Sequence, residues 1–202
     1  GEITYPIAEV FRSIQGEGYH AGRPAVFVRF AGCNLACPFC DTDHSATEDL
    51  PIMALVTRII NLEKACDIIV LTGGEPTLYE IIPLIKALAP RKICIETNGV
   101  LWQRLRGVRQ ACPADVWITV SPKPQRVSYK ALEYADEVKV VFDTFREAVL
   151  GKIYDRTPLR IVQGRRTYIQ PCSGDIKPAL DYVMAHPWWR LSVQLHKLIG
   201  VR

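Results

Sequence analysis

No apolar run in this 202-residue chain is longer than a strand; the longest, such as residues 25–30 and 68–71, fall far short of the roughly 20 residues that cross a bilayer. The N-terminus carries Glu2 and lacks a basic segment followed by an apolar one, so no secretory signal is read there, and the expectation is a cytoplasmic protein with no membrane partner. Charge of one sign is also scarce. The net charge is +4, and the small basic groups at Arg104, Arg106 and Arg109 and at Arg165 and Arg166 read as solvated faces, not as a nucleic-acid groove. A disulfide framework is equally out of character. Seven cysteines is an odd number, and only three of them cluster. Cys66, Cys94, Cys112 and Cys172 are dispersed and read as small core or near-surface residues.

What the chain does have is a large apolar fraction, 49%, enough for a sizeable single-domain core over residues 1–202. Short β-branched runs at 25–30, 68–71, 93–97, 116–120, 138–142, 168–170 and 191–194 alternate with helix-length segments near 52–63, 80–88, 101–110, 129–134, 144–151 and 175–185. Strands separated by helices predict parallel pairing through right-handed crossovers. The runs are followed in turn by Gly32-Cys33, Thr72-Gly73-Gly74-Glu75, Thr97-Asn98-Gly99 and Ser121-Pro122-Lys123, and the sixth ends in Gln170-Pro171. In a parallel sheet these ends lie along one edge, where ligands bind. Six or so strand–helix units could form a full or partial barrel or an open doubly wound sheet; the converging strand ends favour the barrel, and the expected class is α/β, a partial TIM-like barrel of about six parallel strands with its site at the C-terminal strand ends.

The sharpest local signal is Cys33-Asn34-Leu35-Ala36-Cys37-Pro38-Phe39-Cys40, a C-x3-C-x2-C loop. Three thiolates can hold three irons of a [4Fe–4S] cubane and leave the fourth open to substrate, whereas most electron-transfer clusters use four cysteines. The competing reading is a structural zinc site completed by His44. It is disfavoured by the ample core and by the loop's place after a strand of an α/β sheet.

The spacing, with the aromatic Phe39 before the last cysteine, resembles the radical S-adenosylmethionine superfamily, and Gly73-Gly74-Glu75-Pro76 is similar to that superfamily's GGEP element. The flanks narrow the resemblance. Phe11-Arg12-Ser13-Ile14-Gln15-Gly16-Glu17-Gly18, Arg23-Pro24-Ala25-Val26-Phe27-Val28-Arg29, Cys40-Asp41-Thr42 and the closing stretch from Trp189 to Arg202 resemble the 7-carboxy-7-deazaguanine synthase family. The middle, about 128–168, matches only in outline. The resemblance implies ring contraction of 6-carboxy-5,6,7,8-tetrahydropterin to 7-carboxy-7-deazaguanine with loss of ammonia, a step toward queuosine. It implies a radical that takes hydrogen from C6 of the pterin, a [4Fe–4S] cluster, regenerated S-adenosylmethionine, Mg²⁺ and an external reductant such as flavodoxin or ferredoxin.

Carried over position by position, Ile14, Gln15, Gly16, Arg29 and Thr72 are implied substrate contacts. Glu17 is expected at the pterin amine edge, and the resemblance puts His196 in the substrate pocket. Phe39, Cys40, Asp41, Gly74, Glu75, Ser121, Pro122, Lys123 and Gln170, Pro171, Cys172 and Ser173 match positions that contact the cofactor, and Thr42 matches the Mg²⁺ ligand. The α-carboxylate of Arg202 is in the place of one that contacts substrate. Some members carry a long insertion between the first two cluster cysteines or just after the third, and this chain has neither. On chemistry alone, Gln15-Gly16 offers a close backbone approach, and Arg29 can take a carboxylate through two parallel hydrogen bonds. A glycyl-radical-enzyme activase and a zinc-binding RNA-contact module are the rival functions. A homodimer is expected, because a partly open barrel leaves strand edges and apolar faces to cover, with Trp188 and Trp189 as candidate anchors.

Overall fold

The computed structural model describes residues 1–66, 68–112, 116–142, 150, 166–172 and 174–202. Its frame is one nine-stranded sheet. Seven strands run parallel and in chain order: β2 (Pro24–Phe30), β4 (Ile68–Gly73), β5 (Ile93–Thr97), β6 (Val116–Val120), β7 (Glu137–Phe142), β8 (Arg166–Pro171) and β9 (Arg190–Leu191). Six of them fall on the β-branched runs of the sequence; the seventh run, 191–194, overlaps the two-residue β9 only at Leu191, and the total is one more than the about six parallel strands expected. Sequence periodicity did not reveal two others. β1 (Thr4–Ile14) pairs antiparallel with β2, and β3 (Glu48–Pro51) pairs antiparallel with β1 at the sheet edge. β1 contains Pro6 and the charged Glu9 and Arg12, and β3, the edge strand, is four residues long with Pro51 and the charged Glu48 and Asp49, a composition typical of an edge, where ladder donors need no partner.

Helices cover the outside: α1 (Ile52–Leu62), α2 (Ile82–Leu88), α3 (Trp102–Ala111), α4 (Tyr129–Tyr134), α5 (Lys177–Ala185) and the single turn α6 (Leu195–Leu198). Each long crossover helix buries one stripe, as α1 does with Leu55, Val56 and Ile59. The helix expected over residues 144–151 lies outside the described residues except for Leu150, which is helical and buried in the core.

The parity of the parallel strands sorts the molecule into two compartments. Val26, Val28 and Phe30, Ile69 and Leu71, Ile93 and Ile95, Ile118 and Val120, and Val138 and Val140 face the helices in one apolar core. The alternate positions face inward. At the N-terminal end of the strands these are apolar: Ala25, Ile68, Val70 and Cys94, with Phe27 and Trp117 against them. Tyr19 and His20 plug that end, with Tyr19 stacked on Trp117 at 4.8 Å between ring centroids. Toward the C-terminal end the inward positions turn polar: Arg29, Thr72, Glu96, Ser121, Lys139 and Gln170.

Among the described residues the sheet does not close on itself: β3 and β9 are its two ends. Its open side is stitched by the turn after β1, whose Gly16 carbonyl accepts from the Leu195 amide at 2.9 Å, and whose Gly18 amide donates to Ser192 Oγ at 2.9 Å. Trp189 belongs to the core, 2% exposed, so only Trp188, at 41%, remains available as a surface anchor.

Candidate active site

The C-terminal strand ends surround a cavity of about 1120 Å³. One wall is the loop of residues 31–47 after β2, which brings Cys33, Cys37, Phe39, Cys40, Asp41 and Thr42 to the cavity. Neighbouring strand ends hold this loop in place. The Gly74 amide donates to the Phe30 carbonyl at 3.1 Å and the Glu75 amide to the Gly32 carbonyl at 2.9 Å. A side chain at Gly74 would put its Cβ 1.9 Å from the Gly32 carbonyl oxygen, and Gly73, at φ +132°, would meet Phe30 in the same way. Both glycines are therefore required for the GGEP turn to lie against the cysteine loop. Asn98 Nδ2 donates to Asn34 Oδ1 at 2.8 Å, Gln125 Nε2 to the Ala36 carbonyl at 3.3 Å, and Lys197 Nζ to Asp41 Oδ2 at 2.6 Å. The loop is thus tied to the ends of β4 and β5, the loop after β6, and α6.

Glu75 has a different task from the one its position implies. It is fully buried, and its carboxylate accepts from the Thr77 amide at 3.0 Å, Thr77 Oγ1 at 2.6 Å, Thr97 Oγ1 at 2.7 Å and the Asn98 amide at 2.7 Å. Burial raises its pKa against those four donors. Its side chain clamps the end of β4 to the end of β5, behind the cavity wall. Gly16 is likewise committed elsewhere: a Cβ there would lie 1.9 Å from His196 Nδ1, so its bare backbone makes room for the C-terminal segment. Pro122 is buried beside the cavity, and Ser173 lies outside the described residues.

The opposite wall comes from the inner strand positions and the two stitched segments, and it includes Ile14, Gln15, Glu17, Arg29, Thr72 and His196. Arg29 Nε donates to Glu9 Oε1 at 2.7 Å, which fixes the plane of the guanidinium. Glu9 also pairs with the Arg202 side chain, and Arg202 lies over the Phe11 ring, 5.0 Å from its centroid. The Arg202 side chain is therefore engaged in holding the last residue at the cavity. Ser121, Lys123, Gln170, Pro171 and Cys172 complete the lining. Lys123 Nζ donates to the Ser121 carbonyl at 3.0 Å and to Ser121 Oγ at 2.7 Å, and burial lowers its pKa.

Two residues that sequence reasoning passed over, Glu96 and Lys139, stand at the centre of this wall. Lys139 Nζ donates to Glu96 Oε2 at 3.0 Å and pairs with Glu17, while Gln194 Nε2 donates to Glu17 Oε1 at 2.9 Å. Burial alone would disfavour the charges of Glu17 and Lys139. The mutual attraction outweighs it, holding Glu17 at about 2 and raising Lys139. The signal in the sequence was a Glu in Ile-Cys-Ile-Glu-Thr and a Lys in Glu-Val-Lys-Val-Val-Phe. Opposite charges inside otherwise apolar parallel strands have to find partners or line a site.

Residues 27–148 match the Radical SAM superfamily. The 7-carboxy-7-deazaguanine synthase of Bacteroides thetaiotaomicron is 41% identical over 200 residues, covering 97% of this chain and 98% of its own. That of Synechocystis is 35% identical over 99% of this chain and 95% of its own. The chain belongs to the 7-carboxy-7-deazaguanine synthase family. Among solved structures, QueE from Escherichia coli superposes with a TM-score of 0.77 at 29% identity, over 96% of this chain and 95% of that one. That likeness agrees with the partial TIM-like barrel seen here.

Membership of the Radical SAM superfamily makes a [4Fe–4S] cluster and S-adenosylmethionine the cofactors of this family member. The residues fit both. Three thiols on one loop border the cavity beside a glycine turn shaped by backbone contact. Their present partners are separate: Cys33 Sγ faces Asn34, Cys37 Sγ faces Gln125 and Cys40 Sγ faces the Thr42 carbonyl. Among the described residues no three His, Cys, Asp or Glu side chains gather around one ion. A cubane asks for less convergence, because each thiolate binds a different iron. Burial raises the Cys33 pKa, so this thiol needs a bound cation to be held as thiolate.

Proposed function

We propose that this chain converts 6-carboxy-5,6,7,8-tetrahydropterin to 7-carboxy-7-deazaguanine with loss of ammonia, on the route to queuosine or a related deazapurine. The observation that carries this reading is one cavity with two unlike walls. The cysteine loop and the glycine turn form one wall. The other presents Arg29, Glu17 and Glu96, complementary to a molecule with a carboxylate at one end and N–H donors at the other.

When bound, the reduced cluster and S-adenosylmethionine supply a carbon-centred radical that can take a hydrogen atom from substrate. Cys33, Cys37 and Cys40 would hold three irons and leave the fourth facing the cavity. Gly74, Ser121, Lys123 and Gln170 stand where the nucleoside and methionine would lie. Arg29, oriented by Glu9, offers its remaining guanidinium donors to the substrate carboxylate. His196 is held neutral by burial, with Glu17 opposing, and so can accept as well as donate. Thr42 Oγ1, which donates to Asp41 Oδ1 at 3.3 Å, is the proposed Mg²⁺ ligand. A single hydroxyl suits an ion that keeps most of its waters and takes its other oxygens from substrate. Thr42→Ala should therefore lower turnover and its dependence on Mg²⁺ while the cluster stays in place.

An external flavodoxin- or ferredoxin-like reductant would feed the cluster. A homodimer would cover the apolar outside of α5, where Met184 is 77% exposed and Leu180 42%; a monomer by light scattering at micromolar concentration would reject that. The deciding assay for the reaction is anaerobic. Reconstituted protein is given carboxypterin, S-adenosylmethionine, dithionite and varied Mg²⁺, and the deazaguanine product is measured. Absence of product from protein with a full cluster would overturn the reading.

A further inference from the structure

We propose that Lys139 is a positioning residue, which holds Glu17 and Glu96 side by side as a paired acceptor wall for a ring edge carrying two or more N–H donors. This rests on the pterin reading above and goes beyond it by assigning work to two residues, Glu96 and Lys139, that the sequence left unassigned.

The geometry has three parts. First, the ion pairs join separate segments: Glu17 comes from the turn after β1, Glu96 from β5 and Lys139 from β7. Second, the three differ in what they show to the cavity. The side chains of Glu17 and Glu96 are each 18% exposed, that of Lys139 only 5%. The cation sits behind its partners, and the carboxylates present the surface. Third, the acceptors are half used. Glu17 takes one donor from Lys139 and one from Gln194, and Glu96 takes one from Lys139 and one, at 3.4 Å, from Gln15 Nε2. A carboxylate has about four acceptor positions, so each keeps roughly two for a ligand. All of these residues line the same cavity.

Two carboxylates and one ammonium leave a net charge of −1, and the more exposed members, the carboxylates, present acceptors. That wall suits an aminopyrimidine edge and repels the carboxylate of the same substrate, which is thereby directed to Arg29. Without the ammonium, two buried carboxylates would face each other. One would move away or take up a proton, and a protonated carboxyl is a donor where an acceptor is needed.

The test uses reconstituted holoenzyme. Lys139→Met should raise KM for carboxypterin on the order of 100-fold, the scale of leaving a buried charge unpaired. kcat should change far less. Equilibrium dialysis of carboxypterin should show the same loss without turnover. The double variant Lys139→Met/Glu96→Gln removes the repulsion and should recover about tenfold or more in KM. Lys139→Arg should stay near wild type. Equal KM in Lys139→Met and wild type would overturn the assignment, and so would a double variant no better than the single one. Should Lys139→Met fail to retain its cluster, Glu96→Gln alone carries the test: a several-fold higher KM at similar kcat supports the wall, and an unchanged KM refutes it. A wild-type protein that turns over no carboxypterin refutes the pterin reading itself, whereas turnover with an indifferent Lys139 refutes only this inference.

Discussion

The two faces of the same seven strands are built to opposite rules. On the helix side, alternate positions are buried Val, Ile, Leu and Phe, as at Val28, Leu71, Ile95, Ile118 and Val140. On the inner side, the neighbours one residue along are Arg29, Thr72, Glu96, Thr119 and Lys139. Strand geometry makes this separation complete, because successive side chains point to opposite faces. Stability and chemistry can therefore be written on the same stretch of chain. Substitutions one residue apart should fail in different ways, one in folding and the other in function.

The largest effect should come from the loop at the top of the inner face. Replacing Cys33, Cys37 or Cys40 by Ala should abolish S-adenosylmethionine cleavage and strip the iron–sulfur absorbance. Cys66→Ala and Cys112→Ala should do neither, because Cys66, which accepts from Arg12 Nε at 3.3 Å and packs on the core, precedes β4 at the opposite strand ends from the cluster loop, and Cys112 caps the end of α3. A full, active cluster in Cys37→Ala would remove the distinction between the cavity and the rest.

The outer face should fail differently. Leu71 is fully buried against the helices. Leu71→Ala should cost about 2–5 kcal/mol of unfolding free energy, read by denaturant or thermal unfolding, while surviving folded enzyme keeps its KM. Thr72, the next residue, lines the cavity. A KM change in Leu71→Ala as large as its stability loss would show that the faces are coupled.

Arg29 tests the inner face. Arg29→Lys keeps the charge and loses the fork. It should cost about 2–3 kcal/mol, or about 30–150-fold in carboxypterin affinity, with cluster content unchanged. Binding as tight as wild type would reduce Arg29 to the partner of Glu9.

The outer face was the more legible of the two. β-branched runs between helix-length segments announce parallel strands because both faces of such strands are covered; six of the seven runs are strands, and the seventh, 191–194, touches β9 only at Leu191. The cysteine loop was legible because three thiols at that spacing have few other uses. The antiparallel strands β1 and β3 were not, since Pro6, Pro51 and their scattered charges read as loop. The inner wall was half legible. Arg29 and Glu17 stood in recognisable motifs, but Lys139 and Glu96 acquire meaning only when the sheet brings β5, β7 and the turn after β1 together. Glu75 looked like part of the cavity because it adjoins Gly74, yet its side chain turns the other way and secures the wall from behind.

The smallest effect, and the finest probe of the inner face, concerns its lower end. Glu137 is 2% exposed and accepts from the Tyr19 amide at 3.1 Å and from Trp117 Nε1 at 3.3 Å. Burial, with the nearby Glu96 charge adding to it, pushes its pKa up to about 7 from 4.5. A raised carboxyl binds its proton better folded than unfolded, so its stabilising contribution is complete below about 4.5 and is lost as pH rises through about 7. His20, in the same plug, runs the other way. Burial and the Lys92 and Arg23 charges hold it at about 4 against 6.5, so its contribution is present above 6.5 and lost as pH falls through about 4. The two slopes oppose each other over the shared window, and the wild type should be nearly flat there. Glu137→Gln removes one of them. Measured as the melting temperature of the variant minus that of wild type, the difference should grow in favour of the variant by about 5–10 °C between pH 5 and 7.5, the scale of about 2 kcal/mol or slightly more, then level off. The variant's own stability should rise with pH up to 6.5 as His20 sheds its proton. A difference that stays flat across the window would mean that Glu137 is ionised at neutral pH, and that the plug shares the charged character of the wall above it.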